Sequence, residues 1–170
     1  MRTLIVYESM FGNTQAIAEA IATGLGESSE IDITEVSDAP PTSEGFDLVV
    51  VGGPTHAFGM SRSDSRQNAL KETNQPLVSQ GIGIREWIKA LPEIRTGAAA
   101  AFDTKIRKPN LPGSAAKKAE KRMRKRGYDI VVQAENFLVE GTTGPLSDGE
   151  LSRALAWGAD LVKKTRRSSS

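Results

Sequence analysis

The first twenty-five residues constrain the fold most. Thr3-Leu4-Ile5-Val6-Tyr7 is a short, apolar, partly β-branched run of the kind found in strands buried on both faces. Ile17, Ile21 and Leu25 then recur at i, i+4 and i+8 as one apolar helical stripe, with Gly24 and Gly26 supplying the stop. Between them lies Glu8-Ser9-Met10-Phe11-Gly12-Asn13-Thr14, rich in small and hydroxylated residues. A strand that turns sharply into a helix makes an anion site, because the first N–H groups of the helix are unpaired and its dipole end is positive. Ser9 and Thr14 add hydroxyl donors. The loop has no Lys, so a bound phosphate would be held by backbone and hydroxyls. The alternative on this stretch alone is a plain N-cap at Asn13 or Thr14 with no ligand.

The alternation continues along the chain. Ile31, Ile33 and Val36, interleaved with Asp32, Thr34 and Glu35, read as an edge strand with one wet face. Pro40-Pro41 breaks the chain, and Phe46-Asp47-Leu48-Val49-Val50-Val51 is the strongest buried-strand signal. Roughly ten residues part these two strands, few for a helical crossover, so a single turn or very short helix must connect them. Gly52 to Gly83 is a long irregular region in which Arg62 to Lys71 reads as a short helix. Ile84, Trp87, Ile88 and Leu91 restore helical spacing, with Trp87 as a core anchor. Gly97 to Phe102 reads as a buried strand of small residues, and Asp103 to Pro112 as a loop. Ser114 caps a helix with the narrow stripe Ala115, Ala119 and Met123.

Asp129 to Val132 begins the last strand, with Phe137-Leu138-Val139 its continuation. Ser147 and Glu150 have capping-box spacing and open a final helix with Leu151, Leu155, Gly158 and Val162 on one face. The reading is one domain over residues 1–165 and a disordered tail over 166–170. An alternation of this kind implies an α/β fold with a parallel sheet covered on both sides by right-handed crossovers. In such sheets ligands bind beyond the C-terminal strand ends, where strand order reverses. The three unusual loops, after strands 1, 3 and 4, would all meet there.

Composition narrows the chemistry. The 170 residues contain no Cys and one His, His56, which excludes disulfides, thiolate nucleophiles and multi-His metal sites. Chemistry beyond acid–base work must then come from a cofactor. No apolar run has membrane-spanning length and no secretory pattern opens the chain, so the expected location is cytoplasmic. Net charge is only +1, yet residues 105–126 hold ten basic side chains against one acid, Glu120. The plain reading of Lys117 to Arg126 is a solvated helix face. Nucleic-acid binding is not expected, since interleaved aromatics are lacking.

On these residues the chain resembles the flavodoxin family. Ser9-Met10-Phe11-Gly12-Asn13-Thr14 is similar to that family's phosphate loop, Ser/Thr-x-Thr-Gly-x-Thr, keeping Ser9, Gly12 and Thr14 while Phe11 replaces a hydroxyl residue. The resemblance covers nearly the whole length. It is closer to the short-chain type, because no recognisable insertion breaks the final strand. It implies a three-layer, doubly wound, five-stranded parallel sheet of order 2-1-3-4-5, the arrangement of which flavodoxin is the type example.

It also implies non-covalent flavin mononucleotide (FMN), with its phosphate in the first loop. The ring would lie between a second loop, Pro54-Thr55-His56-Ala57-Phe58-Gly59, and a third, Phe102-Asp103-Thr104. Neither loop has the Trp or Tyr that many flavodoxins stack on the ring, so His56, Phe58 and Phe102 are the expected substitutes. Gly59 is the residue expected to permit the peptide rearrangement that stabilises the family's semiquinone. The mapped rim carries Arg62, Arg66, Lys105, Arg107 and Lys108 where electron-carrier flavodoxins are acidic. Positive charge within a Debye length of about 8 Å should make reduction to the anion easier and favour acidic partners.

Rival readings lack their residues. There is no Gly-x-x-x-x-Gly-Lys-Ser/Thr and no Gly-x-Gly-x-x-Gly after strand 1, and Gly52-Gly53 stands where a receiver domain has its acceptor Asp. Three classes stay open. One is an FMN electron carrier that cycles between oxidised, semiquinone and hydroquinone states and serves redox protein partners. Another is an FMN oxidoreductase acting on a quinone or similar small acceptor, with residues 60–83 as a substrate wall. The third is a cofactor-free interaction module. The carrier is preferred, since no residue set for substrate chemistry is visible beyond His56.

Overall fold

The computed structural model describes residues 1–27, 29–109 and 111–168. β1 (Arg2–Tyr7) leads into α1 (Asn13–Leu25) and β2 (Glu30–Glu35). A 3-10 turn, Val36–Asp38, begins the connection to β3 (Leu48–His56), as the short gap required. β4 (Gly59–Met60) folds back on β3, and α2 (Ser63–Ala69) continues as a 3-10 turn, Leu70–Glu72. Then come α3 (Ile84–Ala90), β5 (Ala98–Ile106), α4 (Ala115–Lys125), β6 (Asp129–Ile130), β7 (Glu135–Val139) and α5 (Glu150–Ser168).

The main sheet has the order β2-β1-β3-β5-β6, and these strands run parallel. Counting main strands along the chain, that is the expected order 2-1-3-4-5. Side-chain alternation divides the core in two. Leu4, Val6, Val49, Val51, Ala99 and Ala101 face α3 and α4, where Trp87 and Met123 complete the packing. Ile5, Val50, Ala100 and Phe102 face the other way, under α1 and α5. The alanines of β5 and the stripe Ala115, Ala116 and Ala119 let α4 lie close on the sheet. Among the described residues no helix is long and apolar enough to cross a membrane.

Several local expectations are corrected. β3 runs on through Gly52 to His56 and β5 through Asp103 to Ile106, because ladder pairing continues past the expected ends: β3 and β5 pair as far as Pro54 and Thr104, β4 pairs Thr55 and His56, and β7 pairs β5 as far as Ile106. The last strand is broken. Three steps along β5, from Ala99 to Phe102, match five from Ile130 to Glu135, and the Ala134 N–H in the break donates to Glu120 Oε2 at 2.8 Å. Gly24 lies within α1 rather than ending it, and Gly26, at φ +69°, is the C-cap.

The capping box at α5 does not form: the Glu150 carboxylate accepts from Leu138 N–H and Arg153, and Ser147 Oγ has no partner. The buried face of α5 is Ala154, Trp157, Gly158, Leu161 and Val162, so of the expected stripe Gly158 and Val162 are buried while Leu151 and Leu155 are about half exposed. Its helix continues to Ser168, so the expected disordered tail is helical over 166–168, and 169–170 lie outside the described residues.

Candidate functional site

A cleft of about 280 Å³ opens at the C-terminal ends of β1, β3 and β5. One wall is the first loop, through Ser9, Met10, Phe11, Asn13 and Thr14. The second is Pro54 to Ala57 at the end of β3, and the third is Thr104 to Ile106 of β5 with Val139 and Thr142. Ser65, Asn68, Ala69 and Glu72 of α2 and its 3-10 extension close the remaining side.

The first loop is held from outside itself. Ser9 N–H donates to Ser79 Oγ at 2.9 Å, and Ser79 N–H donates back to Ser9 O at 2.7 Å. Ser79 Oγ donates a hydrogen bond to Glu35 Oε1 at 2.7 Å, and Val78 N–H donates to Met10 O at 3.0 Å. Gly12, at φ +91°, turns the chain into α1, a conformation that suits glycine. No side chain caps the helix, so neither Asn13 nor Thr14 is the plain N-cap of the ligand-free reading. Ser9 Oγ takes the Gly12 N–H at 3.1 Å. The N–H groups of Met10, Phe11, Asn13 and Thr14 have no protein acceptor among the described residues. Thr14 Oγ1 lies 2.7 Å from Thr104 Oγ1, both buried, at the junction of the first and third loops. Unpaired N–H groups at a helix start, with two hydroxyls beside them, suit a phosphate. Beside them Met10, Phe11, Pro54, Ala57 and Ala69 give an apolar wall suited to a flat ring.

Ten expected residues line the cleft: Ser9, Met10, Phe11, Asn13, Thr14, Pro54, Thr55, His56, Ala57 and Thr104. Gly12 shapes the turn without lining it. Phe102 is a core residue, edge-to-face with Phe137 and Trp157 at centroid distances of 6.2 Å, over Gly52, where any Cβ would fall 2.0 Å from its ring. Asp103 faces the opposite side of the sheet and is fully buried. Its Oδ2 accepts from Thr55 Oγ1 at 2.9 Å, Ser114 Oγ at 2.7 Å and Ala116 N–H at 2.9 Å, and its Oδ1 from Asn136 Nδ2 at 2.7 Å. It is the clamp between the second loop and the start of α4.

Phe58 sits at the tip of the β3–β4 hairpin, 55% exposed and outside the cleft. Both tip residues have positive φ, Ala57 at 39° and Phe58 at 72°. Gly59 pairs with His56 and gives room to Lys118, whose Cδ and Nζ would lie 2.7 Å from an added Cβ. It is a packing glycine, and the unusual backbone belongs to its two predecessors. The wall from α2 had no motif of its own; its signals were the helical reading of residues 62–71 and the length of the irregular stretch 60–83, read as a substrate wall in the oxidoreductase alternative.

His56 Nδ1 lies 3.1 Å from Ser65 Oγ, whose hydroxyl also lies 3.0 Å from Arg62 O. Burial, then the nearby Arg66, pushes the His56 pKa down, and the ring is neutral at pH 7. Behind the hairpin, Glu8 is fully buried, its Oε1 accepting from Ser61 Oγ and its Oε2 from Ile84 N–H at 2.9 Å. Burial pushes its pKa up despite these bonds and Arg66, and Glu86 adds to the rise.

The expected basic rim is partly neutralised. Arg66 is paired with Glu86 at 2.7 Å, Arg107 faces Glu140 at 3.4 Å, and Glu72 brings an acid to the cleft wall. Lys105 lines the cleft, but its Nζ donates to Leu111 O and Gly113 O at 3.1 and 2.8 Å.

Comparison with known proteins agrees with this geometry. The fold is similar to that of an archaeal flavodoxin, at 21% identity, TM-score 0.68, and coverage of 98% of this chain and 99% of that one. Oxidised flavodoxin 1 of Bacillus cereus matches at 20% identity and TM-score 0.69, over 96% of this chain and 98% of that one. A short-chain flavodoxin associated with a bacterial microcompartment matches at 11% identity and TM-score 0.66, over 100% and 99% of the two chains. The flavodoxin family model matches residues 5–157, nearly the full length, and the chain belongs to the flavodoxin family.

Proposed function

We propose that this protein binds FMN in the cleft and carries electrons between redox proteins. The observation that carries the reading is the group of unpaired N–H donors in the first loop, already fixed in place by Ser79 and flanked by Thr14 and Thr104. These groups would hold the phosphate, and Phe11 costs the loop only one hydroxyl donor. Met10, Phe11, Pro54 and Ala57 would border the ring and keep water from its faces. Bound FMN would supply one- and two-electron redox chemistry. Of the chain's own groups, His56 is a neutral imidazole at neutral pH, because burial and then Arg66 disfavour its charged form. With the other lining groups this does not compose an acid–base pair for substrate chemistry, which favours a carrier over a quinone oxidoreductase.

The test is titration of the cofactor-free protein with FMN and with riboflavin, which lacks the phosphate, followed by flavin fluorescence. FMN should bind at least about tenfold more tightly, and Thr14→Val should weaken FMN by roughly tenfold, about 1.4 kcal/mol, while leaving riboflavin unchanged. Equal affinity for the two flavins would defeat the proposal.

A further inference from the structure

One side of the β3–β4 hairpin lines the cleft, and the other side is ringed by cations. Arg85 Nε and NH2 donate to Ser61 O and Met60 O at 3.0 and 2.8 Å, laying its guanidinium along the outer edge of the hairpin. The Lys118 side chain covers Gly59 from α4, and Gly113, at the approach to α4, packs against the Phe58 backbone. Arg122, one turn beyond Lys118, and Arg62, just after β4, both act electrostatically on Arg85. Burial first, then these two cations, pull its pKa down, with Glu86 and Glu8 opposing.

Those two acids are otherwise engaged, Glu86 by Arg66 and Glu8 by Ser61 and Ile84 N–H. Among the described residues no carboxylate comes within ion-pair distance of Arg62, Arg85, Lys118 or Arg122. None of the four cations of this patch is therefore closed into an ion pair within the molecule. Phe58 projects beside it, a large aromatic held exposed by a backbone conformation that bulky residues rarely adopt.

We infer that the hairpin tip and its cationic ring, Phe58 with Arg62, Arg85, Lys118 and Arg122, form the docking surface for a redox protein with an acidic patch. The inference rests on the FMN-carrier reading and adds the partner's chemistry. Unpaired like charges close together are relieved by an opposing acidic surface, which also steers the encounter. An exposed aromatic in the middle of such a ring provides the apolar anchor that charge alone lacks. The position suits electron transfer, since one short hairpin separates the docking face from the cleft. A single aromatic among four cations fits a compact protein contact better than a nucleic-acid track, which needs repeated stacking and phosphate positions.

Matched probes of opposite charge test this: cytochrome c, which is basic, and succinylated cytochrome c, whose modified lysines carry carboxylates. Binding is measured with both the cofactor-free and FMN-loaded protein at about 20 mM salt, where screening is weak. The succinylated form should bind at least about tenfold more tightly than the native form, and lose most of that advantage by about 200 mM salt. Combined Arg62→Glu, Lys118→Glu and Arg122→Glu changes should reverse the preference. Phe58→Gly, which suits the tip backbone, should weaken binding severalfold without altering its salt dependence.

Lys163→Glu with Arg167→Glu, on α5, should change neither, and a matching effect there would reduce the patch to net charge. Equal binding of the two cytochromes, or tighter binding to a DNA duplex or to anionic vesicles, overturns the proposal. FMN affinity, titrated separately, divides the two claims. Loss of acidic-protein binding with intact FMN affinity defeats the docking surface alone, and the converse defeats the carrier reading alone.

Discussion

Glu8, directly after β1, lies between the Ser61 hydroxyl and the first N–H of α3, with no solvent contact. Burial raises its pKa in the folded chain, so folding favours its protonated form. Its contribution is therefore fully present below the unfolded carboxylate range and is lost as pH rises through the higher folded value. Glu150 runs the other way. Burial opposes its ionisation, but Arg153 and the Leu138 N–H outweigh it and hold the pKa down, so its stabilisation is lost as pH falls. Glu8→Gln removes the first dependence and keeps a group able to meet both neighbours. The difference in urea midpoint between variant and parent should move in the variant's favour as pH is raised from about 4 to 7. A difference independent of pH would contradict the enclosed, proton-retaining carboxylate. At this scale the sequence was legible where one residue type has one use, as with Gly12 and His56. It misled where strand parity decides: Phe102 and Asp103 are adjacent in a strand, so one enters the core beneath α1 and α5 and the other clamps α4.

The contact between α1 and α5 depends on two glycines. A Cβ at Gly24 would lie 2.0 Å from Leu155 O, and one at Gly158 would lie 2.3 Å from Ile21 O. Alanine is the better helix former by about 1 kcal/mol, so propensity alone predicts stabilisation by Gly158→Ala. Backbone atoms cannot step aside as a side chain can, and the helices must separate. The expected result is a net loss of about 2–3 kcal/mol, read as a lower denaturant midpoint, with FMN affinity little changed. A stabilised variant would mean that the helices are not in backbone contact. This packing also explains the partly misread face of α5. Of the expected stripe Gly158 and Val162 are buried, but glycine-to-backbone approach turns Ala154, Trp157 and Leu161 inward beside them and leaves Leu151 and Leu155 half exposed. The stripes of α3 and α4 were legible because no competing set of apolar residues shares those helices. The ends of β3 and β5 were not, since Gly52-Gly53-Pro54 and Asp103-Thr104 look like loop residues until their parallel neighbours are in place.

Across the whole molecule, the alternation of elements and the handedness of crossovers made sheet order and the meeting of three loops legible. The α2 wall was legible only as the substrate wall of the oxidoreductase alternative, because nothing in residues 60–83 marks which ligand they cover. If the cleft takes FMN, ligand at about 100 times its dissociation constant should stabilise the fold by roughly 2.7 kcal/mol and raise the melting temperature by about 5–10 °C. Riboflavin at the same concentration should give a markedly smaller shift, and an equal one would leave the phosphate without a role. The bond from Ser9 N–H to Ser79 Oγ closes a span of seventy residues that holds α1, α2 and the three strands β2, β3 and β4. A phosphate cradle completed by so distant a partner cannot exist in a partly folded chain. Flavin should then arrive after the last barrier to folding: it should leave the refolding rate untouched and act by slowing escape from the native state.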